Sequence, residues 1–152
     1  NKVEKSNLLL VGDGPERFLM EEMCRELDLC DRVKFLGKIQ DTRHVLQISD
    51  LFLLPSETES FGLAALEAMA VGVPVISSNT GGIPEVNIHG VSGLLSNVGD
   101  IDDMAKNALE ILSSKESLEK YSQNAIQRAR EFDIHKIVSQ YELLYMKILK
   151  SA

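Results

Sequence analysis

The chain has 152 residues, of which 44% are hydrophobic and 26% charged, with a formal net charge of −7. That length suits one ordinary domain with a sizeable core, and the mixture of apolar and charged residues excludes a disordered chain. The acidic balance argues against a nucleic-acid partner, since phosphate backbones select basic surfaces, and no apolar run approaches the ~18 residues a bilayer span requires.

In chain order, an apolar strand is expected at Leu8 to Val11, a helix from about Pro15 to Leu29, a strand at Val33 to Leu36, a short helix near Thr42 to Ile48 and a strand at Leu51 to Leu54. A helix rich in Ala, Leu and Met follows from Gly62 to Ala70, then a strand at Val75 to Ser77, a short helix opened by Pro84 and Glu85, and a strand at Gly93 to Leu95. Continuous apolar strands alternating with helices imply an α/β fold, a Rossmann-like parallel sheet covered on both faces. From Asp100 onward three helices are expected, Asp100 to Leu112, Leu118 to Glu131 and His135 to Lys150. The last carries an apolar stripe of Ile137, Val138, Tyr141, Leu144, Tyr145, Ile148 and Leu149 that would ordinarily pack on its own domain. In parallel sheets ligands bind at the carboxyl ends of strands. The loops at Gly12 to Gly14, Gly37 to Ile39, Pro55 to Phe61 and Asn79 to Gly82 all follow strands and are expected to share one sheet edge.

The segment Glu59-Ser-Phe-Gly-Leu-Ala-Ala-Leu-Glu67 concentrates the chemistry. It sets two carboxylates around a helix start, one at the end of a loop and one in the second helical turn. Eight helical steps would separate them by about 12 Å, and a partly extended stretch by more. Paired glycosidase carboxylates stand about 5 to 9.5 Å apart, so these two suit different parts of one long ligand. Between them, the amides of Phe61, Gly62 and Leu63 lie where a helix N-terminus favours an anion such as a phosphate, and Gly62 permits close approach. Two solvated glutamates on an amphipathic helix would give the same spacing.

Smaller features are weaker. Gly12-Asp-Gly14-Pro15 lacks the third glycine and the Gly-Lys-Ser/Thr ending of phosphate loops, and a tight turn with Pro15 opening a helix explains it as well. Gly81-Gly82-Ile-Pro-Glu85 is a turn that feeds a short helix, with two glycines that either approach a ligand or simply make the turn. Asp100-Ile-Asp-Asp103 reads as an N-cap with acids in the first turn rather than a metal motif. Cys24 and Cys30, six apart in the expected helix, fall on different faces and are expected to be free thiols. No Cys-x-x-Cys and no His pair at ligand spacing points to zinc.

The ordered set Leu10-Val-Gly-Asp-Gly-Pro-Glu16, Val33-Lys-Phe-Leu-Gly37, Ser49-Asp-Leu-Phe-Leu-Leu-Pro-Ser56, the Glu59 to Pro74 block and Gly81-Gly-Ile-Pro-Glu85 resembles the retaining glycosyltransferases of family 4, with their Glu, seven residues, Glu signature. The resemblance covers nearly the whole chain. It implies that residues 1–152 are the C-terminal, nucleotide-sugar-binding domain of a GT-B enzyme with a helical tail, truncated at its N-terminal side and without the acceptor-binding domain, and that the final helix crosses back towards that other domain, which would leave part of its apolar stripe exposed here. The start at Asn1-Lys-Val-Glu-Lys-Ser, without an initiating Met, fits a chain cut from something longer.

The resemblance also implies roles. Glu59 would act at the catalytic centre by bonding hydroxyls of the donor sugar. The amides of Phe61, Gly62 and Leu63 would meet the sugar and diphosphate, Glu67 the ribose, and main-chain groups of Gly37 and Lys38 the base, while Gly12, Gly14, Gly81 and Gly82 would support these contacts from behind. No metal or other cofactor is implied, because the UDP-sugar is a substrate. Ser56-Glu-Thr-Glu-Ser-Phe-Gly-Leu63 and Ser78-Asn-Thr-Gly-Gly-Ile-Pro-Glu-Val86 resemble most the members that transfer N-acetylglucosamine from UDP-N-acetylglucosamine to L-malate in bacillithiol biosynthesis. The alternatives are another family 4 hexosyltransferase with a lipid or saccharide acceptor, or a non-catalytic nucleotide-sugar-binding module. The family's diphosphate-binding Arg and Lys come from a βα unit upstream of the Gly-Asp-Gly-Pro loop, which this sequence does not contain. The chain alone is therefore expected to bind donor weakly without turnover. A cytoplasmic location is expected, and an uncovered sheet edge would favour an oligomer.

Overall fold

The computed structural model describes residues 6–151, so Asn1 to Lys5, the expected cut end, lie outside the described residues. The chain divides into two compact units, one running to Thr42 and the other starting at Arg43. The strands accordingly form two parallel sheets, with orders β1-β2 and β3-β4-β5, instead of the single sheet expected. Hydrophobic patterning marks which segments are strands but carries no signal for which strands pair, and the pairing breaks between β2 and β3.

The first unit consists of β1 (Leu8–Val11), α1 (Arg17–Glu26) and β2 (Val33–Gly37). Leu8 lies opposite Val33 and Leu10 opposite Phe35, and a register shift after Leu10 sets Val11 opposite Gly37. The helix stops short of the expected Leu29 because Asp28, at φ 53°, takes the left-handed conformation that Asp tolerates better than most residues. The Leu29 amide then bonds back to the Cys24 carbonyl at 3.0 Å. This turn brings Cys30 to Cys24 and corrects the expectation that the two lie on different faces, which assumed one unbroken helix. Burial first, then the hydrogen bond and charge of Cys30, push the Cys24 thiol up from its ordinary value. Both cysteines are free.

The second unit holds α2 (Arg43–Gln47), β3 (Phe52–Leu54), α3 (Leu63–Ala70), β4 (Val75–Ser78), α4 (Ile83–Val86), β5 (Gly93–Ser96), α5 (Ile101–Ile111), α6 (Lys115–Ala129), a 3-10 turn (Arg130–Phe132) and α7 (Ile134–Ser151). β4 is flanked by strands on both sides and is buried along its whole length. Its alternating side chains serve two cores. Val75 packs with Ala65, Ala68 and Met69 of α3 and Ala125 of α6, whereas Ile76 packs with Leu94, Ile111 and Tyr121. The helices thus cover both faces of this sheet, each fully buried Val, Ile or Met contributing about 1.5–3 kcal/mol.

One polar knot interrupts the apolar centre. The buried Asn87 amide donates to the Val75 carbonyl at 3.2 Å and the Ser77 hydroxyl at 3.0 Å, while its oxygen accepts from Ser92. Gly93 makes room for it, since a Cβ there would lie 2.1 Å from the Val75 carbonyl oxygen.

Helix boundaries follow their caps. Asp100 opens α5 as expected, its carboxylate accepting from the Asp103 amide at 2.9 Å. α6 begins three residues before the expected Leu118 because Ser114 caps it, its hydroxyl accepting from the Ser117 amide at 3.1 Å. The stripe on α7 does not pack on its own domain: Val138, Tyr141, Leu144, Tyr145, Ile148 and Leu149 are all exposed. Asp133, at ψ 132°, breaks the helical path before α7, so this helix does not continue along the packed face of α6. Among the described residues no helix is long and apolar enough to cross a membrane.

Candidate nucleotide-sugar site

In the second unit the loop after β3 carries Glu59 to α3. Only the steps from Leu63 to Glu67 are helical, a rise of about 6 Å, and Glu67 sits in the second turn as the sequence implies. Gly62 stands at the N-cap position with φ 92°, a conformation that a residue with a Cβ adopts only at a cost. The first bond inside the helix runs from the Leu66 amide to the Gly62 carbonyl at 3.0 Å. The amides of Leu63, Ala64 and Ala65 therefore precede the helical ladder and supply the positive pole of α3. No side chain caps this end. The Phe61 amide points to the Glu59 carboxylate, with Oε1 accepting at a long 3.4 Å. Glu59 is half-buried and Glu67 exposed.

The loop after β4 is the mould for the Glu59 segment. Its Gly82 amide donates to the Glu59 carbonyl at 3.2 Å, and the Thr80 hydroxyl donates to the Glu57 carbonyl at 3.1 Å. A Cβ on Gly81 would fall 1.7 Å from the Glu59 carbonyl oxygen, and one on Gly82 would fall 2.3 Å from that of Ser60. The glycine pair makes the turn into α4, one of the two readings the sequence allowed, with the Ile83 amide donating to the Thr80 carbonyl at 3.2 Å, and it is also required by backbone packed on backbone. Thr58, Glu59, Ser60, Thr80 and Gly81 line an open groove of about 570 Å³.

Gly12, Gly14, Gly37 and Lys38 belong to the first unit. There the Gly12 amide donates to the Gly37 carbonyl at 2.8 Å, joining the loop after β1 to the end of β2. Gly12 and Gly37 both have positive φ, 127° and 66°. A cavity of about 340 Å³ is lined by Gly12 to Arg17 together with Leu10, Val11, Met20 and Phe35. The Arg17 guanidinium spans it, paired with Glu21 at 2.9 Å and set over the Phe35 ring at 5.9 Å from the centroid. Lys38 is exposed.

Among the described residues no group of three or more His, Cys, Asp or Glu side chains is arranged to hold a metal ion. The Asp100 carboxylate is occupied as a cap, and Asp103 accepts from Asn107 at 3.1 Å. Sequence reasoning missed Arg128 and Phe132, which reach the site from the end of α6. Their one trace in the sequence is a cation four residues before an aromatic, too common a pair to mark a site.

The family profile for "Glycosyl transferases group 1" matches residues 1–128. The chain is 47% identical over 150 residues to the N-acetyl-alpha-D-glucosaminyl L-malate synthase of Bacillus anthracis, covering 95% of this chain and 38% of that protein. It is 33% identical to the 2-deoxystreptamine N-acetyl-D-glucosaminyltransferase of Niallia circulans, again over 95% of this chain and 38% of the relative. Among solved structures, the sucrose-phosphate synthase of Thermosynechococcus elongatus superposes with a TM-score of 0.85 at 31% identity, over 99% of this chain and 40% of that one. Anabaena HepE in complex with UDP gives 0.85 at 29% identity, over 99% and 42%. The chain thus spans about two fifths of the length of these relatives. With the Glu59 to Glu67 segment standing at the start of α3 in a parallel α/β framework, the chain belongs to the group 1 glycosyl transferases.

Proposed function

We propose that this chain is the donor-binding part of a retaining, metal-independent glycosyltransferase that takes N-acetylglucosamine from UDP-N-acetylglucosamine and delivers it to L-malate. The observation that carries the reading is the braced segment from Glu59 to Glu67, in which two carboxylates flank an uncapped, positively poled helix start. Two relatives of 47% and 33% identity carry N-acetylglucosaminyl transfer in their names. Solved structures of HepE hold UDP or UDP-glucose.

In this reading the α3 amides receive the diphosphate, Glu67 holds the ribose hydroxyls and Glu59 the sugar hydroxyls. As the glycosidic bond breaks, negative charge grows on the departing nucleoside diphosphate, and the fixed N–H groups and helix dipole stabilise it without reorganising. By resemblance, main-chain groups of Gly37 and Lys38 in the first unit receive the base. The acceptor site lies in the remaining length of the relatives, and the 152-residue chain by itself binds donor weakly and does not turn over.

Calorimetric titration of the chain and of Glu67→Ala with UDP, UDP-N-acetylglucosamine, ADP-glucose and GDP-mannose tests the reading. Uridine nucleotides should bind selectively. The variant should weaken them about 10-fold or more, as expected when a charge-assisted hydrogen-bond pair worth about 1.5–3 kcal/mol is lost. A folded chain that binds none of the four refutes the donor-site assignment.

A further inference from the structure

Beyond the stretch matched by the family profile, which ends at residue 128, the 3-10 turn after α6 brings an aromatic ring to the site loop. Phe132 meets Phe61 edge to face, with centroids 5.7 Å apart and planes at 74°. The Arg128 guanidinium lies over the Phe132 ring at 4.9 Å. The same guanidinium donates to the carbonyls of Val86, at 3.2 Å, and Glu85 at the end of α4, and it pairs with Glu131.

One cation therefore ties together two supports that converge on Glu59. The first is the loop leading into α4, whose Gly82 amide holds the Glu59 carbonyl. The second is the Phe132–Phe61 pair, since the Phe61 amide faces the Glu59 carboxylate. Both rings are only half-buried and pack against the edge of the core cluster that contains Ala65, Ala68 and Met69. Edge-to-face rings and a cation over a ring are directional, and they fix the orientation of Phe61 in a way that apolar filling alone does not.

We infer that Phe132 is a positioning residue for donor-sugar recognition: held by Arg128, it orients Phe61 and through it the Glu59 carboxylate. The role in recognition rests on the donor-site reading above, while the mechanical coupling does not. Phe132 touches no reacting atom in this scheme, and it acts on Glu59 but not on the ribose carboxylate Glu67, which lies on α3 itself. Its loss should therefore change discrimination between UDP-sugar and UDP more than affinity for UDP.

The test compares the 152-residue chain with Phe132→Leu and Phe132→Tyr by residue-resolved amide exchange and by titration with UDP and UDP-N-acetylglucosamine. Phe132→Met, whose flexible side chain fills more of the ring's space, replaces Phe132→Leu if the latter does not fold. In Phe132→Leu the Phe61 and Gly62 amides should exchange about fivefold faster or more while β4 amides stay unchanged, a local and not a global opening. The ratio of UDP-sugar to UDP affinity should fall about threefold or more, with UDP affinity within about twofold of the parent, and Phe132→Tyr, which keeps the ring pair, should restore both readouts. Unchanged exchange at Phe61, or equal losses for UDP and UDP-sugar, overturns the inference. If the parent binds neither nucleotide the donor-site reading falls, and the exchange measurement alone then decides the coupling.

Discussion

Gly81, Gly82 and Gly90 differ in a way that separates two costs of adding a methyl group. Gly90 has φ 75° and open space where a Cβ would stand, so Gly90→Ala meets only the left-handed backbone penalty, about 1 kcal/mol. Gly82 has an ordinary φ of −83°, but its Cβ would lie 2.3 Å from the Ser60 carbonyl oxygen, so Gly82→Ala meets a clash with backbone and no torsional penalty. Overpacking of this kind costs about 1–3 kcal/mol. Gly81 combines both, with φ 53° and a Cβ 1.7 Å from the Glu59 carbonyl oxygen. Gly81→Ala should therefore destabilise by about 2–4 kcal/mol, towards the upper end of single substitutions. For a chain of this size that lowers the Tm by roughly 4–16 °C. Urea titration followed by circular dichroism gives the free energies, with equal slopes marking a change of stability and not of compactness. The order should be Gly81→Ala worst, then Gly82→Ala, then Gly90→Ala, with nucleotide-sugar binding lost only in the first two. A Gly82→Ala protein as stable as the parent, or a Gly90→Ala protein as damaged as Gly81→Ala, would refute the argument that the β4 loop is a mould for Glu59.

Asn87→Ala strips the partners from Ser77 and Ser92 in the buried knot, and the denaturation free energy should drop by about 2–4 kcal/mol, more than for truncating an exposed Asn. Asp100→Ala removes the α5 cap and should cost about 1 kcal/mol by the same measurement. Alkaline pH should weaken the fold. Burial raises the Cys24 thiol above 9.0 and the Tyr121 phenol above 10.0, the latter helped by Glu110. Each group is favoured in its protonated form when folded, so its contribution is complete below the unfolded value and lost as pH climbs through the raised folded one. Denaturation midpoints at pH 8 and 10.5 should differ in the parent, and the difference should shrink in a Cys24→Ala, Tyr121→Phe double variant. By the same logic Cys30, which is exposed, should react with a thiol reagent before Cys24.

What could be read from the sequence was local. The strand at Val75 announces itself through the β-branched pair Val75-Ile76 directly after Pro74, and the Asp100 cap is visible because a cap and the amide it serves are three residues apart. Glu59 and Glu67 could be placed around a helix start for the same reason, and Gly62 shows its positive φ through the absence of a side chain. The arrangement of the candidate segment from Glu59 to Glu67 was thus legible because its residues are consecutive along one loop and one helix.

Tertiary structure decided whatever depends on residues distant in the chain. Strand pairing is one case, since β1 to β2 and β3 to β5 look alike in pattern but belong to separate sheets. The thiol pair is another, because a single left-handed Asp28 undoes the face assignment that helical periodicity gives. The exposed stripe on α7 has the same apolar period as a buried one. The bracing of Glu59 by Gly81, Gly82, Arg128 and Phe132 joins residues 22 to 73 positions apart in the sequence. Periodicity and capping are set by near neighbours and so survive in the linear sequence, whereas close packing depends on which distant backbone arrives, and only the folded chain supplies that.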